Sequence, residues 1–226
     1  MSIVTCELFS EIYWAHYVSL EKEFSKTLSY VSLSHDNFST YSEAYVKLML
    51  QIGSEVDIAL KNYCKILQDS FSGSRISEYQ KLICEKNHDF CRQTVLIRPL
   101  NKEIQPWNIW CRSSRNSTSP YWWTVYNKVK HERLDKGTIG PETKEYYKFA
   151  NLKNTLFALA GLYQILVFTF YNLATNERKK VVTPLPGSRV FQLTGSNWDE
   201  VNFFGDFAFY LDDNGYLHVE FSNLSY

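Results

Sequence analysis

Apolar positions recur at helical spacing through most of the chain and at strand spacing only near its end. Leu8, Ile12, Ala15, Val18 and Phe24 predict an amphipathic helix over about Glu7 to Leu33, with those side chains on its buried face. After the polar linker "SHDNFSTYS", Tyr45, Leu48, Met49, Ile52, Val56, Ala59, Leu60 and Tyr63 form a second stripe behind Ser42, a ready N-cap. Two such helices in succession predict an antiparallel pair. "ISEYQKLICEKN" continues the helical pattern, "QTVLIRPL" reads as extended, and the chain to Pro120 is irregular, ending in the loop-like "SSRNSTSP".

A further helix is predicted from Pro120, whose ring suits a first turn, to about Asp135 to Gly137. Beyond the break "KGTIGPET", a long helix is expected from about Thr143 to Thr175. It contains a run of 23 residues, Asn154 to Asn176, without a charge. That length would span a bilayer, but Gln164, Asn172 and several threonines dilute it and no basic cluster precedes it. A central core helix is the expectation, with no membrane partner. Past residue 180 the pattern shortens to alternating runs such as "FGDFAFYLDDNGYLHVEF", with "DDNG" as a hairpin turn. The expected organisation is a mainly α bundle over 1–180, with a short extended insertion at about 94–118, and a small β appendage over 181–226.

With 226 residues, 45% of them hydrophobic, the chain can bury a sizeable core, and its 16% aromatic share makes much of that packing aromatic. Lys plus Arg and Asp plus Glu balance at 24 each, so any site for a polyanion has to be local. Five scattered cysteines without a CxxC pair read as reduced thiols, neither a disulfide framework nor a zinc site. Together with an N-terminus lacking a basic region and an apolar stretch behind it, they predict a cytoplasmic protein. No GxSxG, HExxH, Walker or GxGxxG motif is present, and no metal or cofactor is expected. His16, His35, His88 and His218 read as single surface or cap residues.

The densest chemistry lies in "WWTVYNKVKHER". At 100° per residue, Trp122, Val125, Tyr126 and Val129 fall within an arc of about 100° facing the core, and Asn127, Lys130 and His131 gather opposite. Arg133 lies near the helix end. On the 42–70 helix Glu55 falls at the margin of the apolar stripe, where a carboxylate needs a partner. Lys130, His131 or Arg133 would supply one if the helices pack together, with Asp57 and Lys61 beside it as further pairing residues. Paired with Glu55, His131 would serve as a general acid or base. The competing reading is a solvated helix face whose cations make ordinary surface salt bridges.

Taken together, "SEVDIALKNYC", "PWNIW", "WWTVYNKVKHER" and "ANLKNTLFALAGLYQIL" are similar to a group of bacterial proteins resembling HEPN domains, over roughly residues 5–175. The resemblance implies an antiparallel helical bundle that forms a homodimer. It implies a metal-independent endoribonuclease acting on RNA in a toxin or phage-defence setting, with His131 as proton-transfer group and Asn127 as polar helper. The family's helix carries an arginine ahead of the histidine. Here Asn127 occupies that side, and Lys130 or Arg133 would stand in. The alternative is a non-catalytic interaction module of the same fold, engaging a partner protein, in which the cluster pairs with Glu55 and Asp57 to lock two helices.

Overall fold

The computed structural model describes residues 5–112, 119–179, 183–194, 207–211 and 217–221. Helix takes up 61% of it and strand 11%, so the expected mainly α class holds. The first helix runs as α1 (Cys6–Phe9), a π-helical turn (Ser10–Trp14) and α2 (Ala15–Thr27). Its buried face is Phe9, Trp14, Tyr17, Leu20 and Phe24, whereas Leu8 and Ile12 are exposed. Of the expected stripe, Phe24 is buried and Val18 packs against the core, while Leu8, Ile12 and Ala15 face solvent. The π turn inserts a residue and rotates the faces, and the large aromatics take the core.

α3 (Glu43–Leu67) starts where Ser42 Oγ accepts the Tyr45 N–H at 3.3 Å, and its whole predicted stripe is buried. α4 (Ile76–Lys86) follows. The insertion then forms β1 (Val95–Ile97), β2 (Lys102–Ile104) and the short α5 (Ile109–Arg112). α6 (Tyr121–His131) ends sooner than its pattern predicts. The chain turns into a hairpin, β3 (Lys136–Ile139) and β4 (Glu142–Glu145), through Gly140 at φ +60°, a conformation that suits glycine.

The long helix accordingly begins later than expected, as α7 (Leu152–Asn176), where Asn151 Oδ1 accepts the Asn154 N–H at 2.9 Å. α7 is long and apolar enough to cross a membrane, but 83% of its apolar window is buried in the fold, chiefly against α3. It is the central core helix.

β5 (Phe191–Leu193) pairs antiparallel with β1, giving the order β2-β1-β5. β5 lies past the boundary expected at 180/181, and it completes the sheet of the insertion. β6 (Phe207–Leu211) and β7 (Leu217–Phe221) form an antiparallel hairpin as predicted, and the "DDNG" turn itself lies outside the described residues.

The cysteine expectation also fails in part. Cys91 and Cys111 are bonded, Cα atoms 5.6 Å apart. Folding brings the 3-10 turn after α4 beside α5, an approach that a separation of 20 residues does not reveal. Cys6, Cys64 and Cys84 are free. Burial pushes the Cys64 thiol up to about 12 and the Cys6 thiol to about 11.

Candidate functional site

α6 is seated by its aromatic face. Tyr126 lies against α3 where Gly53 has no side chain, since a Cβ there would come within 2.1 Å of the ring. Trp122 packs near Gly161 of α7, meets Trp107 edge-on at 4.9 Å, and donates from Nε1 to the Pro106 carbonyl at 3.1 Å. Val125 and Val129 are buried as predicted. With this face fixed, Asn127, Lys130 and His131 point outward, and Arg133 follows in the turn.

On that outer side His131, Lys130 and Arg133 are exposed. Lys130 Nζ stands 5.5 Å from the Tyr126 ring centroid. The half-buried Asn127 donates from Nδ2 to the Trp123 carbonyl at 3.1 Å, leaving its Oδ1 for another donor. Among the described residues no carboxylate lies within 4.0 Å of Lys130, His131 or Arg133.

Their neighbours differ. Lys128 pairs with Glu132 at 2.8 Å, Lys144 with Glu142 at 2.6 Å and Lys148 with Glu145 at 2.8 Å. Two of these pairs carry an electrostatic signature: the Glu132 carboxylate raises Lys128, and Lys148 holds Glu145 below the usual carboxylate range. Glu132, Glu142 and Glu145 are each occupied by one of these lysines. The helix C-terminus, with its partial negative charge, holds the remaining cations in place.

The predicted supporting set does not join them. Glu55 pairs with His16 of α2, at 3.7 Å, and not with His131. The reason is angular: Gly53 faces α6, so two residues on, about 200° around the axis, Glu55 faces away from it. Burial, and then the charge of Asp57, raise the Tyr79 hydroxyl of α4, so Asp57 faces that helix. Lys61 is exposed. The expected pairing of the cluster with Glu55 and Asp57 does not form, because both acids serve other helices.

A second polar cluster escaped the sequence reading. Glu21, 4% exposed, accepts from the Tyr17 hydroxyl at 2.8 Å, the Ser188 hydroxyl, the Arg189 N–H at 3.0 Å and the Val190 N–H at 3.2 Å. Ser188 Oγ in turn accepts the Phe191 N–H at 2.8 Å. Burial and the Glu21 charge drive the Tyr17 hydroxyl well up. Enclosed in this way, the carboxylate anchors the strand leading into β5. Only the i, i+4 spacing of Tyr17 and Glu21 hinted at it.

Cavities of ≈ 520 Å³ lie between α2 and α3, lined by Tyr30, Tyr45 and Leu48 among others, and at the start of α6, beside Pro106 and Trp122. Neither is lined by Asn127, Lys130, His131 or Arg133. Among the described residues no three His, Cys, Asp or Glu side chains group to hold a metal. Compared with protein-family models, curated proteins and solved structures, the chain finds no match.

Proposed function

We propose that the chain is a HEPN-like, metal-independent endoribonuclease that works as a cytoplasmic homodimer in a bacterial toxin or phage-defence setting, with the outer end of α6 as its site. The observation that carries this reading is that, among the described residues, Lys130, His131 and Arg133 stand exposed with no carboxylate within 4.0 Å, while Lys128, Lys144 and Lys148 nearby are each paired with a glutamate. Cations left open in this way suit a phosphate from outside the chain.

Cleavage needs a base to take the 2′-hydroxyl proton, an acid to protonate the departing 5′-oxygen, and positive charge beside the phosphorane. The attacking 2′-oxygen displaces the 5′-oxygen and leaves a 2′,3′-cyclic phosphate. One chain presents a single His131. Two copies related by a two-fold axis would present base and acid together, with Lys130 or Arg133 supplying the charge and the Asn127 carbonyl accepting from the RNA. A cytoplasmic setting keeps thiols reduced, so the Cys91–Cys111 bond would close there only on oxidation.

Incubation of wild type and His131→Ala with mixed RNA and EDTA tests the proposal. Cleavage by wild type alone, with cyclic phosphate ends, is expected, and equal cleavage or none by both contradicts it. The second reading, an interaction module without catalysis, draws on the Asn127 amide being tied to its own helix and on His131 lining neither of the two large cavities. It predicts an RNA-inert protein whose partner is lost on Lys130→Ala with Arg133→Ala.

A further inference from the structure

The open end of α6 continues into a second surface feature. After the turn at Leu134, which is 83% exposed, and the β3–β4 hairpin, the chain returns along α6, and the Tyr147 N–H donates to the Arg133 carbonyl at 3.2 Å. Tyr147 meets Tyr41 edge-on, with ring centroids 5.8 Å apart and planes at 76°. The Tyr41 backbone is pinned by a bridge to Asn151 and by the Leu152 N–H on the Thr40 carbonyl at 2.9 Å, yet the residue remains 46% exposed. Lys148 Nζ stands 6.0 Å from the Tyr41 ring and 5.7 Å from the Tyr147 ring, steadied by Glu145 at 2.8 Å.

Two aromatic rings on a fixed backbone, partly open to water, sit beside an ammonium held by Glu145, and the backbone of one of them is bonded to that of Arg133. Open ring faces gain from being covered by a flat apolar group. A flat ring joined to a phosphate is a nucleotide, and only a base outside a duplex has a free face to offer. We propose that Tyr41 and Tyr147 form a stacking subsite for an unpaired nucleobase near the end of α6, where the Tyr147 backbone meets that of Arg133. This rests on the RNA reading above and adds to it the single-stranded substrate and the residues that select it. The ring, not the hydroxyl, does the selecting.

The test uses the full chain carrying His131→Ala, so that cleavage cannot consume the probe, and a fluorescein-labelled oligouridine of about twelve nucleotides, alone and annealed to its complement. The single strand is expected to bind about tenfold more tightly than the duplex, to lose about tenfold on Tyr41→Ala, and to keep its affinity with Tyr41→Phe. Equal binding of both strands, or unchanged affinity in Tyr41→Ala, overturns the subsite while RNA binding itself still stands. Binding of neither probe by any variant removes the RNA reading and the subsite with it. Photocrosslinking of 5-iodouridine RNA to the unsubstituted rings is independent of how the variants fold: adducts on Tyr41 or Tyr147 are expected, and adducts confined to other residues overturn the proposal.

Discussion

The chain gathers polar side chains in two places and treats them in opposite ways. Around Glu21 every group is turned inward, and one carboxylate accepts from two hydroxyls and two backbone N–H groups. At the end of α6, Lys130, His131 and Arg133 face water with no carboxylate within 4.0 Å among the described residues, although Glu132, Glu142 and Glu145 are nearby and bound to other lysines. A polar group whose partners are all in the chain is explained by folding. One left open at a fixed position is met by water, and on the proposed reading it is where a phosphate from outside the chain would bind.

The sharpest way to break this contrast is to empty the buried side. Glu21→Ala leaves several donors without an acceptor and is expected to cost about 4 kcal/mol in urea unfolding. RNA handling per folded molecule should be unchanged, and a loss of RNA activity without a loss of stability would reverse the roles assigned to the two regions. Next in size is Cys91→Ser, expected to cost about 3 kcal/mol under oxidising conditions and almost nothing under reducing ones. Peptide mapping without reductant should show residues 91 and 111 linked, and Cys64 unlabelled by iodoacetamide near pH 8, because its thiol is held at about 12.

Gly53→Ala drives a methyl into the Tyr126 ring and should cost about 2 kcal/mol. Since it shifts the seat of α6, it should also weaken RNA cleavage, which links the two regions through one helix contact. A smaller effect is expected at Glu177, whose carboxylate accepts the Cys6 N–H at 2.8 Å and is held below the ordinary 4.5 by that bond and by Lys179. A depressed folded value contributes stability above the unfolded one, lost as the pH falls through 4.5 and below. Glu177→Gln should therefore flatten the melting-temperature profile on that acid limb and leave its slope between pH 5 and 7 unaltered. Least of all for stability is His131→Ala, within about 0.5 kcal/mol, as befits an exposed side chain.

Much of the helical frame was legible in the sequence. The α3 stripe, the core face of α6 and the buried α7 follow from apolar spacing, which records what a helix must bury. The first helix misled because its π turn changes the period at Ser10–Trp14. Periodicity from Thr143 onward could not show that "KGTIGPET" folds back as a hairpin. Pairings across the chain were hidden for a different reason: Glu55 with His16, Glu21 with Ser188 and Cys91 with Cys111 depend on how elements are placed, which spacing does not encode. At the candidate site, the outward set Asn127, Lys130 and His131 was visible from the helical wheel. That its cations are left unpaired was not, because that depends on where the acids of three other turns go.

Salt dependence of RNA affinity tests the claim about those open cations most directly. With His131→Ala as the parent, single-stranded RNA affinity would be measured from low to high salt, with and without Lys130→Ala and Arg133→Ala together. If the two cations meet phosphates, the slope of log affinity against log salt falls by about 1.4 in the double variant. An unchanged slope, or no RNA binding by the parent at any salt, would contradict the account.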